Sequence, residues 1–504
     1  MQFVNTIFRW FIAAHYRRVE EFMRYPIETQ NRIFYQLIEV GRSTEWGKKH
    51  NFNTIKSIAD FKKQVPISTY DDIKPYIERM MNGESDILWR GKTKWFSKSS
   101  GTTSDKSKYI PVTDENLETC HLKAGHDIMA SWYNNFPNTK LYTGKLMAMG
   151  GTYSSYDKHS YTMIGDVSAI MMESMPFYAK SFFAPSLDLA LMNDWGEKIE
   201  RMAHEVINEN ITSISGVPTW TLVLFRRIAE IKKTNNLLEV WPNFEMYVHG
   251  GVDFTPYREQ FRAYFPSPKV HFVNAYNASE GFFAAQLDAD DNNSEMVLLV
   301  DNGIFYEFLP NYTTDDSFAP TLQLNEVELN VNYALIITTN AGLWRYNIGD
   351  TIRFTSLNPF RIVVTGRTKH FINVFGEEVM VENTDLAVAR TCAALGCGVK
   401  EYTVAPIFMD TAQGGHEWAI AFVNPPTDAA AFAALLDVNL QAVNSDYEAK
   451  RYKDLALCAL KLNVVDGDTF YTWLRNKGKM GGQHKIQRLS NTRTFLEEIL
   501  ALHQ

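Results

Sequence analysis

In the stretch YPIETQNRIFYQLIEVGRSTEWG (25–47), apolar residues recur every three or four positions and the run closes on glycine. That spacing predicts an amphipathic helix, and the whole opening part to about Asp86 reads as helix and loop. The first residues, MQFVNTIFRWFIAAHYRR, are apolar in patches. Arg9 interrupts them, no small-residue cleavage site follows, and the pattern continues as an amphipathic helix, so a docked helix is expected rather than a secretory signal. From Trp95 the texture changes. Short β-branched runs (KLMAMG, SISGVP, EMYVHGG, VHFVNAY) alternate with the helical run WTLVLFRRIAEIKK. Such alternation predicts a largely parallel α/β sheet whose ligands bind at loops leaving the carboxyl ends of the strands.

From about Glu295 to Thr365 strands dominate: EMVLLV, IFYEFLP, ALIITT, TIRFT and RIVVTG, preceded by the polar, turn-rich DADDNNSE, a hairpin tip. After Gly366 come TVAPIF, EWAIAFV, the helix DAAAFAALLDVNLQAV and LALCALKLNVV, a small α+β unit. The expected fold is therefore α/β. A large N-terminal domain (1–366) holds helix-flanked, mainly parallel sheets plus a β-rich, barrel-like part, and a small α+β C-terminal domain (367–504) follows a boundary between Gly366 and His370. No internal repeat or low-complexity tract is present.

Composition narrows the classes. The 504 residues exceed one ordinary core. With 45% apolar and 21% charged residues the chain is a folded globular protein and not a disordered one. The net charge of −8, without a Lys/Arg stripe, argues against a nucleic-acid partner. No uninterrupted apolar run reaches the length of about 18 residues that spans a bilayer, so no membrane partner is expected. Cys120, Cys392, Cys397 and Cys458 lack the paired spacing of a zinc site and are too few for a disulfide framework. Buried thiols in a reducing compartment, the cytosol, are the expectation.

Five segments carry candidate chemistry. In FSKSSGTTSDKSKYIPVT (96–113), Ser99, Ser100, Thr102 and Thr103 surround Gly101, and Lys106 and Lys108 follow. Such a loop can turn N–H and O–H donors toward phosphate, with glycine allowing close approach, although a solvated surface loop has the same composition. It is not a Walker A loop, because Asp105 precedes Lys106 and Ser107. HFVNAYNASEGFF (271–283) delivers Asn274, Tyr276, Ser279 and Glu280 into a turn. An aromatic face can cover a purine, an amide can read its edge, and a carboxylate can hold Mg²⁺ against phosphates; a strand end with a polar turn is the alternative. Upstream, Gly250 and Gly251 suit a backbone passing close to a flat ligand. In ITTNAGLWRYNIGDTIRF (337–354), Asp350 follows Gly349 at a strand–turn–strand junction, placed either to hold a ribose diol or to satisfy its own backbone. The remaining two are VVTGRTKHFINVFGEEV (363–379) and GKMGGQHKIQR (478–488), where Lys485 follows a glycine-rich stretch.

Singly each segment is weak; their order is specific. A Ser/Thr-Gly loop, then N-x-Y-x-x-S-E, a G-D turn, G-R-T-K and a late lysine is the order of the acyl-adenylate-forming superfamily. Within it the chain most resembles the plant acyl acid amido synthetases that conjugate auxin and jasmonate, and their bacterial relatives. SSGTTSDKSKYIP is similar to that family's SSGTSxGxxKxIP, TTNAGLWRYNIGD to its TTxAGLxRYRVGD, and GQHKIQR to its NQYKxPR. The likeness covers essentially the whole chain, including VPISTYDDIKPYIERMMNGE from Val65.

The resemblance implies an ATP- and Mg²⁺-dependent ligase that adenylates a carboxylic acid, releases pyrophosphate, and passes the acyl group to the amine of an amino acid. It implies that Ser99, Ser100, Gly101, Thr102 and Thr103 cradle phosphates with Lys108 and Ser279 nearby, that Gly250 and Gly251 line the nucleotide, and that Asn274 and Tyr276 contact adenine. It further implies Glu280 on Mg²⁺, Asp350 on the ribose, Arg367 at the ribose or α-phosphate, Lys485 as the catalytic cation, and Lys369 as the hinge of a rotating small domain. Three departures stand out. Ser104, Asp105 and Ser107 replace small residues, glycine and proline; Gln487 replaces proline; Asn347 replaces an arginine, with Arg345 or Arg353 available to compensate. The acyl pocket is expected from 150–172 and 215–225, whose Met, Tyr and Trp suit a flat or alkyl acid and core packing equally. A ligase passing the acyl group to coenzyme A or a carrier thiol, and a nucleotide binder without catalysis, are the alternatives.

Overall fold

The computed structural model describes residues 2–100, 107–157, 161–252, 254–288, 294–310, 316–367, 371–409, 413–477 and 486–502. Five α-helices precede the first strand: Gln2–Arg24, Pro26–Gly41, Glu45–Lys49, Ile58–Gln64 and Tyr70–Met81. The helix Pro26–Gly41 starts on proline, whose fixed φ suits a first turn, and buries Ile33, Phe34, Leu37 and Ile38 along one face. Its Gln30 amide donates to the Val300 and Ile304 carbonyls (2.7 and 2.8 Å) and accepts from the Tyr306 N–H (2.9 Å), locking the helix to the strand Ile304–Leu309. The first helix is docked, as its pattern predicts. Val19 and Phe22 are buried, and His15 Nε2 lies 2.6 Å from Asp127. Lys123 Nζ in turn bonds both Asp127 (2.7 Å) and Asp301 (2.8 Å).

An eleven-stranded sheet forms the body. The strands Phe183–Ala184, Lys145–Ala148, Ile211–Ser215, Met246–Gly250 and His271–Ala278 run parallel in that spatial order. The helix Pro218–Lys232 crosses between two of them, the expected α/β alternation. At the hairpin His271–Ala278/Gly281–Ala285 the direction reverses. Beyond it Met296–Leu298, Phe360–Arg367, Tyr346–Leu357, Asn332–Thr339 and Ile304–Leu309 continue the ladder antiparallel. The β-rich part is present, and it is one ladder with the parallel half. Ile304–Leu309 is buried along its whole length and is apolar but for Glu307, whose carboxylate pairs with Arg345.

A four-stranded sheet (Ser107–Val112, Trp95–Ser100, Met163–Gly165, Tyr153–Ser155) stands beside the body. Toward the C-terminus Gly398–Ile407, Gly415–Asn424 and Lys461–Val465 form a three-stranded sheet with the helices Val381–Leu395 and Ala429–Val443. One apolar cluster runs through Phe225, Tyr247 and Phe272 of the parallel half and Phe375, Trp418 and Leu436 of this unit. That shared core sets the smaller unit over the carboxyl ends of the parallel strands. No helix among the described residues is long and apolar enough to cross a membrane.

Candidate active site

A cleft of about 1250 Å³ opens where the parallel strands end. Ser99, Lys108, Gly251, Asn274, Tyr276, Ser279, Glu280 and Asp350, scattered over 252 positions of sequence, all line it. The antiparallel pair Trp95–Ser100/Ser107–Val112 sets Ser99 directly across from Lys108, and Ser100 across from Ser107. Gly101, Thr102 and Thr103 belong to the connection between these strands and lie outside the described residues, as do Lys369 and Lys485. The Ser97 hydroxyl, which the sequence reading passed over, donates to the Ser279 hydroxyl (3.0 Å) and ties this hairpin to the Glu280 turn.

Tyr276 and Asp350, 74 residues apart, meet directly: the Tyr276 hydroxyl donates to Asp350 Oδ2 at 2.5 Å. The aspartate therefore binds across strands. The turn before it is served by Asn347, whose side-chain oxygen accepts from the Gly349 N–H (2.9 Å); Gly349 has φ +89°, a conformation glycine adopts without strain. This is the local role of the residue that replaces an arginine. Of the two compensating cations expected, only Arg353 lines the cleft. Arg345 is buried in a bidentate pair with Glu307 (3.0 and 3.0 Å) and cannot serve the nucleotide. Arg367 ends its strand with its backbone paired to Asp350.

Glu280 is 7% exposed. Burial pushes its carboxyl up to about 7; Lys108 pulls the other way, and Asp350 and Glu378 add to the rise. A carboxyl this costly to charge, lining a cleft, makes Glu280 a candidate functional residue. Among the described residues no group of three or more His, Cys, Asp or Glu could hold a metal by itself. Mg²⁺ typically takes one or two carboxylates together with substrate phosphates and water, and a single buried carboxylate that shares the cleft with Ser99 and Lys108 fits that mode.

Gly250 is not on the cleft wall. A Cβ there would stand 2.3 Å from the Ala275 carbonyl oxygen, so this glycine lets two strands pair and only Gly251 (φ +81°) faces the ligand space. Gly250→Ala is expected to cost about 1–3 kcal/mol of stability by prising Met246–Gly250 from His271–Ala278, measured by denaturant unfolding; an unchanged midpoint would refute the clash. The late segment is anchored just past Lys485. Arg488 grips Asp385 with two bonds of 2.7 Å, and the Gln487 carbonyl accepts from Thr403 (2.8 Å). Glu378 and His249 also line the cleft. Neither carried a sequence signal, since Glu378 is one of two adjacent glutamates and His249 sits inside a buried strand.

The same overall fold occurs in solved structures. A GH3.15 acyl acid amido synthetase superposes with TM-score 0.60 at 18% identity, covering 96% of this chain and 94% of that one. A 2-hydroxyisobutyryl-CoA ligase with 2-HIB-AMP and CoA gives 0.59 at 13% identity, covering 94% and 92%. The fold is thus that of the adenylate-forming ligases. Within that class the chain belongs to the GH3 family: the family's N-terminal domain matches residues 15–270, its central domain 297–367 and its C-terminal domain 382–494. Among curated relatives, the indole-3-acetic acid-amido synthetase GH3.3 of Arabidopsis thaliana is 24% identical over 95% of this chain and 92% of its own length.

Proposed function

We propose that this chain is an acid–amino acid ligase that uses ATP and Mg²⁺ to convert a small carboxylic acid to its acyl-adenylate and then transfers the acyl group to the amine of an amino acid. The observation that carries the reading is the convergence, in one cleft, of the Tyr276–Asp350 pair with buried Glu280, Ser99 and Lys108. Tyr276 and Asn274 contact the adenine, Asp350 the ribose diol, and Arg367 the ribose or α-phosphate. Ser99, Ser100, Thr102 and Thr103 cradle the phosphates, Gly101 letting the backbone approach them. Glu280 holds Mg²⁺, which neutralises phosphate charge when bound.

The acid's carboxylate attacks the α-phosphorus in line and pyrophosphate leaves, so the protein's task is alignment and charge neutralisation. Lys485 stabilises the charge developing between carboxylate and α-phosphate. The mixed anhydride then reacts with an amine without further activation, provided water is excluded. A small domain from about residue 367, turning about Lys369, exchanges the two half-reactions.

The test is pyrophosphate release from ATP and Mg²⁺ across aryl, indolyl and fatty acids, with Lys485→Ala alongside. Acid-dependent release is expected, lowered about ten- to a hundredfold in the variant. ATP binding without release for any acid would overturn the reading. Conjugates with coenzyme A and none with amino acids would overturn its second half.

A further inference from the structure

The stretch 371–380, which opens the small unit, forms one edge of the cleft. Phe371–Ile372 pairs antiparallel with Val379–Met380, and Phe371, Asn373, Val374 and Glu378 of this turn line the cleft. Two buried donors from the parallel half hold its backbone. The Tyr257 hydroxyl donates to the Val374 carbonyl (2.6 Å) and the Thr219 hydroxyl to the Phe375 carbonyl (3.1 Å).

Asn373 joins three parts of the molecule. Its Nδ2 donates to the carbonyl of Gly251, the glycine that faces the ligand space (2.9 Å). Its Oδ1 accepts from the Glu378 N–H (3.3 Å), and its backbone N–H donates to the Asn491 side-chain oxygen (2.8 Å). Asn491 returns a long bond from its amide to the Phe371 carbonyl (3.5 Å). Asn491 and Thr492 also line the cleft, and in sequence they lie just beyond Lys485. Their segment is fixed to the small sheet: the Val404 N–H donates to the Arg488 carbonyl (2.8 Å), and the Ser490 N–H to the Val404 carbonyl (3.1 Å). The bond from Asn373 to Gly251 is solvent-exposed. Water competes for both partners of such a bond, so it adds little to the stability of the fold while still selecting one geometry.

We propose that Asn373 is a positioning residue for adenylation, seating the small unit and its C-terminal segment on the cleft through Gly251 on one side and Asn491 on the other; this rests on the ligase reading above. The arrangement brings Asn491 and Thr492 into the same cleft as Ser99, Lys108, Glu280 and Asp350, the residues read as holding phosphates, metal and ribose. It is therefore the arrangement in which the C-terminal segment serves the phosphate chain. A small unit that turns about Lys369 for amide formation carries Asn373 away from Gly251, so the bond belongs to one half-reaction only. An exposed bond, cheap to part and re-form, suits a contact made once per turnover.

The two half-reactions can be measured apart. Asn373→Asp keeps the shape and the acceptor for the Glu378 N–H, but loses the donor and sets a carboxylate against the Gly251 carbonyl. Asn491→Leu breaks the other side by removing the acceptor of the Asn373 N–H. Full-length wild type and both variants are given an acid accepted by wild type, with ATP and Mg²⁺, and acid-dependent pyrophosphate–ATP exchange is followed. Separately they are given the pre-formed acyl-adenylate of that acid and a panel of amino acids. Exchange is expected to fall about tenfold in kcat in both variants with the KM for ATP within about twofold of wild type, while conjugation from the adenylate keeps its wild-type rate. Exchange in Asn373→Asp within about twofold of wild type, or exchange and conjugation lost in parallel, would overturn the role. Wild type that shows neither exchange nor conjugation defeats the ligase reading instead.

Discussion

Replacing Arg345 by alanine should cost about 3–5 kcal/mol of stability, because it strands a buried carboxylate. The Arg345 guanidinium is shared among five acceptors. Nε and Nη2 bond the two Glu307 oxygens (3.0 and 3.0 Å), Nη1 bonds the Val65 and Lys62 carbonyls (2.7 and 3.1 Å), and Nη2 also reaches Thr321 (3.1 Å). Thr321 in turn donates to Glu307 at 2.5 Å, closing the network. Both charged side chains are 1% exposed. The network joins the strand Ile304–Leu309, the strand after Arg345 and the end of the helix Ile58–Gln64, so its loss loosens the seam between the sheet and the N-terminal helices. Guanidine unfolding measures the loss. The double change Arg345→Met with Glu307→Leu should recover most of it, since a well-packed apolar pair replaces the ions at little net cost. A single variant within about 1 kcal/mol of wild type, or a double variant no better than the single, would refute the assignment. An arginine serving the nucleotide would behave differently: the KM for ATP would rise with the unfolding midpoint unmoved.

Glu280→Gln is expected to lower adenylation by about a thousandfold in kcat/KM. The same substitution should erase a pH dependence. In the ligand-free protein the Glu280 carboxyl is mostly protonated below pH 7 and charged above it. Holding Mg²⁺ requires the charged form, so affinity for Mg²⁺ with a non-hydrolysable nucleotide should weaken as pH falls from 8 to 5, approaching about tenfold per unit. Calorimetry at pH 6 in buffers of different ionisation enthalpy should show close to one proton released on binding to wild type and none from this position in Glu280→Gln. The stability effect has a fixed sign. Because the folded carboxyl titrates above its ordinary value of 4.5, its favourable contribution is complete below that value and is lost as pH rises through about 7. The ligand-free Gln variant should therefore be more stable than wild type at pH 8, by as much as roughly 3 kcal/mol. A variant with unchanged catalysis and an unchanged pH profile would remove Glu280 from the site.

The element types were legible because each is a short-range property. The i, i+3, i+4 spacing of Ile33, Phe34, Leu37 and Ile38 suits a helix, and the run IFYEFL, apolar but for Glu307, suits a fully covered strand. The segment around Asn274, Tyr276 and Glu280 was legible for a related reason. Polar side chains gathered where a buried strand ends are expensive unless a ligand or a turn uses them. Gly250 misled, since a glycine needed for strand pairing and one needed for ligand approach look alike in sequence. Arg345 and Arg353 were likewise indistinguishable, as the burial of one and the exposure of the other depend on Glu307, dozens of residues away.

The sequence by itself determined where helices and strands lie, that the chain alternates them in an α/β manner, and which segments hold nucleotide-suited side chains in family order. Tertiary structure decided that both halves share one ladder, through pairings such as Met296–Leu298 with Phe360–Arg367. It also brought Tyr276 to Asp350. The division follows from the physics. Backbone sterics and apolar periodicity act over a few residues and leave their mark in local order. Strand pairing, desolvation and the fields of buried charges depend on which distant residues are brought together, and no local pattern encodes that.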